Sequence, residues 1–179
     1  METILQDIFT LYQNEIKKIF LADEPLSLAR VETEGLELSK KMIGELLVAY
    51  IGELTSRLAD DKSGRREAGL VIERKGDERK VLTEIGEVTY IRDYYYDRHN
   101  KQYRYLVDEM LGICKGQRIS SGLGISLAGA AIDMSYEKSS RYVAGGRVSR
   151  QSVMIKLRGS QPYGASCILG ANSLAYSYP

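Results

Sequence analysis

A doubled glycine, Gly145-Gly146, followed by Arg147, Val148 and Ser149, restricts the folds open to this chain more than any other feature. Glycine accepts the left-handed conformation in which helices commonly end, and serine is among the preferred helix N-caps. Val148 precedes the serine, in the position from which an apolar side chain packs back on the new helix. The sequence therefore predicts a helix ending near Ala144, a tight turn over Gly145-Gly146-Arg147, and a Ser149-capped helix running to about Leu157. Upstream, Ser120-Ser121 offer another cap, ahead of a small-residue helix carrying Leu123, Ile125, Leu127, Ala128, Ala130, Ala131 and Ile132.

Helix, glycine turn and serine-capped helix make a helix-turn-helix pattern. In that geometry the first turn of the second helix meets base edges, while surrounding cations take phosphates. Arg150 and Gln151 suit bidentate reading of guanine and adenine. Arg141, Arg147, Lys156 and Arg158 are placed for the backbone, and with Ser149 they complete the candidate DNA contacts. The charge distribution permits this. Residues 1–60 carry 11 acidic and 6 basic side chains, residues 61–120 carry 11 and 13, and residues 121–179 carry 2 and 6, for a net charge of +1. The positive excess falls at the C-terminal end.

Ahead of that unit the apolar spacing predicts two helices. Ile4, Ile8, Leu11, Tyr12, Ile16 and Ile19 form one stripe, ended by Asp23-Glu24-Pro25. Leu36, Ile43, Leu46, Leu47, Tyr50, Ile51, Leu54 and Leu58 form a longer one, giving out in a polar link over residues 60–66. Such helices pack as a hairpin or pair with a second copy, so a homodimer through this arm is the protein partner the pattern allows. A β region follows. Leu70–Arg74 reads as a strand, 75–78 as a turn, 79–84 as a second strand, Ile85-Gly86 as a kink and 87–96 as a long third strand. The turn over residues 97–101 returns the chain along 102–106. A hairpin centred on His99-Asn100 sets Tyr96 against Tyr103 and Tyr94 against Tyr105, with Arg92 continuing the row. That ladder is either ordinary sheet packing or an aromatic platform for nucleic acid beside Arg92, Arg98 and Arg104.

The expected fold class is α+β: two N-terminal helices, a small antiparallel sheet of three to four strands, and a helical helix-turn-helix unit. The divisions fall at 1–62 for the arm, 63–112 for the β region, 113–158 for the helical unit and 159–179 for an uncharged tail expected to be disordered. Composition is that of an ordinary globular chain, 44% apolar and 27% charged. It holds neither a run of about 18 apolar residues nor a basic-then-apolar leader, which excludes a membrane partner and secretion and leaves the cytoplasm. The cysteines, Cys114 and Cys167, are too far apart for a metal knuckle and fit a reducing compartment. A hydrolase built from His99, Asp108 and Glu109 is the weakest reading. Adjacent carboxylates do not face each other, His99 sits at a hairpin tip, and Asp108-Glu109 suit the first turn of a helix.

Gly86-Glu87-Val88, then Arg92 to Tyr96, Leu106-Val107-Asp108-Glu109-Met110-Leu111-Gly112, Ser135-Tyr136 and Val148-Ser149-Arg150-Gln151-Ser152-Val153 stand in an order and spacing that resembles the Lre-type insertion-sequence transposases. The resemblance covers roughly residues 35–158, the N-terminal part of such a protein. It implies a mobile-element protein whose N-terminal half binds terminal inverted repeats. A ribonuclease-H-like domain would follow, with an acidic triad holding two divalent metals such as magnesium. Here the 21 residues from Gly159 carry no charged side chain. The expectation is therefore a truncated copy with no catalytic residues and no cofactor of its own. The competing reading is a structural, oligomerising remnant that binds no DNA.

Overall fold

The computed structural model describes residues 2–21 and 27–158, with side chains described up to 155. It is α+β, with a three-stranded antiparallel sheet whose strands, β1 (Leu70–Thr83), β2 (Gly86–Asp97) and β3 (Gln102–Arg104), lie side by side in chain order. Two compact units emerge. The first gathers the described residues up to 79 together with 88–104; the second holds 80–87 and the described residues from 105 onward.

In the first unit, α1 (Glu2–Phe20) packs against α2 (Leu28–Asp60), whose 33 residues span about 50 Å. Ser27 caps α2 by accepting the Arg30 N–H at 3.2 Å. The expected stop at Asp23-Glu24-Pro25 lies outside the described residues. Asp61 closes α2 and at once opens α3 (Lys62–Glu67), where a polar link was expected. The Asp61 carboxylate accepts the Gly64 N–H at 2.9 Å and occupies the space a Cβ on Gly64 would need, so the link winds into one more turn of helix.

The β region also departs from expectation. β1 runs unbroken over Leu70–Thr83, through the turn expected at 75–78. Gly76 sits inside it at φ +80 and donates its N–H to the Asp93 carboxylate at 3.1 Å, so the glycine bends a strand instead of ending one. The reversal comes at Glu84-Ile85, read from sequence as part of a strand and a kink, and leads into β2 (Gly86–Asp97). β3 is short (Gln102–Arg104) and pairs Tyr96 with Tyr103 and Asp97 with Gln102, the register expected of the hairpin. Because β3 ends at Arg104, Tyr105 is the residue before the next helix, not a rung of the ladder.

His99 was expected as a solvated turn residue, and it is exposed, but its ring also covers Gly69. A Cβ on Gly69 would come within 2.4 Å of the imidazole, and Gly69 holds φ +67. The Arg98 N–H reaches the Gly69 carbonyl at 2.9 Å, tying the hairpin tip to the start of β1. Gly69→Ala is expected to cost about 1–2 kcal/mol, from left-handed strain and displacement of the ring. Urea unfolding measures it; an unchanged midpoint would refute the tie.

In the second unit, α4 (Leu106–Met110) carries Asp108 and Glu109 in its first turn. Three longer helices follow: α5 (Ser121–Asp133), α6 (Tyr136–Ala144) and α7 (Arg150–Arg158). Each opens on a serine. Ser120 accepts from the Leu123 N–H, Ser135 from the Lys138 N–H and Ser149 from the Ser152 N–H. Ile119, Leu123, Leu127, Ala144, Val148 and Val153 form their shared core, with Leu82, Tyr136 and Val143 against it. Leu82 also bonds through its backbone to Arg118 and Ser120, and Ser126 donates to Glu84, so the β1–β2 turn belongs with these helices.

Candidate nucleic-acid interface

The turn between α6 and α7 follows the residues that predict it. Gly145 takes the left-handed cap at φ +58 and its N–H returns to the Ser140 carbonyl. Val148 and Val153, at the positions before the cap and four into the helix, are both buried in one cluster, a hydrophobic staple fixing the entry of α7. The Ser140 hydroxyl, also buried, donates to the Val148 carbonyl. Every polar atom at this corner that is named here has a partner, and the turn is held from both sides.

That corner leaves Ser149, Arg150 and Gln151 exposed at the start of α7. The other candidates stand differently. Arg147 is exposed but donates its Nε to the Ala144 carbonyl at 3.2 Å, at the negative end of α6. Arg141 is exposed and bridges Glu137 at 2.7 Å, pairing that carboxylate within α6. Ala131, Met134, Ser135, Tyr136, Glu137 and Arg150 line a groove beside the start of α7. The side chains of Lys156 and Arg158 lie outside the described ones. Sequence reasoning missed Ser135 and Tyr136 as neighbours of Arg150, which no local signal announces.

The alternative platform in the first unit does not assemble as expected. Tyr94 stacks on Tyr103 with centroids 5.2 Å apart and planes 10° apart, and Tyr96 meets Tyr103 at 4.9 Å. Of the three arginines expected beside them, Arg92 is only 7% exposed. Arg104 alternates to the face opposite Tyr103 and bonds Asp97 at 3.0 Å. Only Arg98 is exposed. Arg74, expected only as the end of a strand, lies 5.3 Å from the Tyr94 ring centre and is itself held by both oxygens of Asp77. Rings capped by a compensated arginine are well explained as sheet packing.

Asp97 is a tightly held carboxylate. It is buried and accepts the Asn100 backbone N–H and side-chain N–H, both at 2.9 Å, besides Arg104. Burial pushes its pKa up, but the bonds from Asn100 and Arg104 outweigh burial and hold it at about 2. Among the described residues no three His, Cys, Asp or Glu side chains gather as metal ligands do, and no helix is long and apolar enough to cross a membrane. His99 lies in the first unit, Asp108 and Glu109 in the second.

The sequence pattern of the Uncharacterised protein family (UPF0236) matches residues 21–159. The chain belongs to this family. A UPF0236 protein of Caldanaerobacter subterraneus subsp. tengcongensis, whose name joins eleven locus designations, is 34% identical over 159 residues, covering 88% of this chain and 33% of the relative. A second from the same strain is 34% identical over 149 residues, covering 82% and 32%. A third is 33% identical over 159 residues, covering 88% and 33%. The chain thus spans about a third of the length of the UPF0236 proteins it matches. No solved structure matches it.

Proposed function

We propose that this chain is the DNA-reading N-terminal part of an insertion-sequence transposase, binding the terminal inverted repeats of its element in the bacterial cytoplasm. The observation carrying this reading is the corner at Gly145–Ser149. It holds α7 rigidly from below and leaves Arg150 and Gln151 free at the helix end that meets base edges in helix-turn-helix proteins. The basic balance of residues 121–179 supports it, as does neutralisation of Glu137 by Arg141. The relatives add two supports. They extend to about three times this length, room for a catalytic domain in which the divalent metals would lie. One also carries eleven designations in one strain, as a sequence that copies itself acquires. On this reading the chain supplies recognition, and strand transfer belongs to the rest of the full-length protein.

Gel-shift titration against duplexes carrying the inverted repeats that flank a full-length relative's gene tests it, with random duplex as competitor. Arg150→Ala and Gln151→Ala should each weaken specific binding about 5- to 150-fold, the worth of one bidentate base contact. Affinity should also fall with salt, at a log–log slope of about 0.9 per phosphate engaged. Binding no tighter than to random duplex, and indifferent to both substitutions, would leave the structural reading in possession.

A further inference from the structure

Of the eighteen large apolar side chains exposed among the described residues, eleven lie between Ile4 and Tyr50, in the helical arm. They are ordered. Leu36, Ile43 and Tyr50 recur at intervals of seven along α2 and are 57%, 48% and 49% exposed. Seven residues is the repeat at which one face of a helix returns to face another helix. A groove beside α1 is lined by Leu5, Phe9, Tyr12 and Ile16 interleaved with at least as many polar side chains of the same helix, and by Met42 of α2. At 3.6 residues per turn, Leu36, Ile43 and Tyr50 lie about 80–120° round α2 from Met42, away from the seam between the helices. Phe9, Ile16 and Phe20, all exposed, cluster on α1 on the groove's other bank. The two apolar stripes therefore lie on one side of the hairpin, with the groove between them. The same stripe continues along α2 into Leu54, which is buried, and the Thr55 hydroxyl lies 3.4 Å from the Ile91 carbonyl of β2. One end of the face meets the sheet.

We infer that this face is the dimer interface, occupied by the same face of a second copy, so that two α1–α2 hairpins form a four-helix bundle centred near Ile43. Area favours a second copy, and charge disfavours anionic partners. Six half-exposed side chains, at on the order of 100 Å² each, and the groove between them approach the about 800 Å² per partner of a standard interface. Three ion pairs lie within α2, Arg30 with Glu34, Lys40 with Glu37 and Arg57 with Glu53. The acidic excess of residues 1–60 disfavours nucleic acid or an anionic membrane there. A two-fold axis near Ile43 sets like against like, as an isologous contact requires.

Sedimentation equilibrium of the 179-residue chain at micromolar concentration should give twice the 20.1 kDa chain mass. Leu36→Glu/Ile43→Glu on α2 and Phe9→Glu/Ile16→Glu on α1 replace exposed side chains. Each pair should raise the dimer dissociation constant about a hundredfold or more while leaving the far-ultraviolet spectrum unchanged. A wild-type monomer would overturn the inference and leave the face to the additional chain of the longer relatives. A dimer that either variant pair leaves intact would overturn it as well. Neither result bears on DNA reading by α7, whose test is separate.

Discussion

Asp97→Ala is expected to remove about 3 kcal/mol of stability, a large share of what a domain of this size holds. The aspartate ends β2 and accepts three hydrogen bonds, two from Asn100 across the turn and one from Arg104 on β3. It is the fastening of the hairpin on which the Tyr94–Tyr103–Tyr96 stack depends. Asn100 is exposed and can turn to water, but the largely buried Arg104 loses a charged partner in a place where water replaces it poorly. Urea unfolding followed by tyrosine fluorescence measures the loss. A loss of a few tenths of a kcal/mol would show the turn to be held by its backbone alone.

The same group fixes an acid limb. Its folded pKa, about 2, lies below the ordinary aspartate value near 3.9, so its contribution is present above the ordinary value and lost as pH falls through about 2. Wild type should lose stability between about pH 4 and pH 2 more steeply than the alanine variant, and the two curves should converge at the acid end. Curves that stay parallel throughout would remove Asp97 as the cause.

The contrast between the two units shows what a sequence can and cannot disclose. The α6–α7 corner was legible because its determinants are local: serine caps, a left-handed glycine and a staple valine, each acting within a few residues of itself. The Tyr96–Tyr103 register was legible for the same reason, since a short turn fixes it. β1 was misread because Lys75-Gly76-Asp77 has turn composition, and what overrides it is the Asp93 carboxylate, 17 residues away on β2. Arg92 was placed outward by alternation, yet it is buried; alternation gives a side of the sheet, not what covers it. For Arg104 the information was present, because it follows Tyr103 and must alternate away from the ring. Asp97 carried a weaker signal, an aspartate three residues ahead of an asparagine at a turn. The groove beside Arg150 joins the end of α5, the start of α6 and the start of α7, and only their packing brings it into being.

That packing can be separated experimentally from the DNA-reading surface proposed for the start of α7. Leu127 is 1% exposed at the centre of the α5–α6–α7 cluster, and Leu127→Ala should cost about 2–5 kcal/mol, transfer and cavity together. Nothing at the start of α7 changes chemically, but α7 is seated by Val148 and Val153 in that same cluster, so loosening it frees the helix that bears Arg150 and Gln151. Arg150→Ala should do the reverse, leaving the unfolding midpoint within about 0.5 kcal/mol of wild type because the side chain is exposed, while it weakens inverted-repeat binding. Paired denaturation and gel-shift measurements on the two variants thus discriminate between a surface that reads DNA and a cluster that presents it. If Leu127→Ala lost stability yet bound as tightly as wild type below its transition, α7 would not depend on this core for its orientation. The corner would then cease to be the support proposed for DNA reading by Arg150 and Gln151.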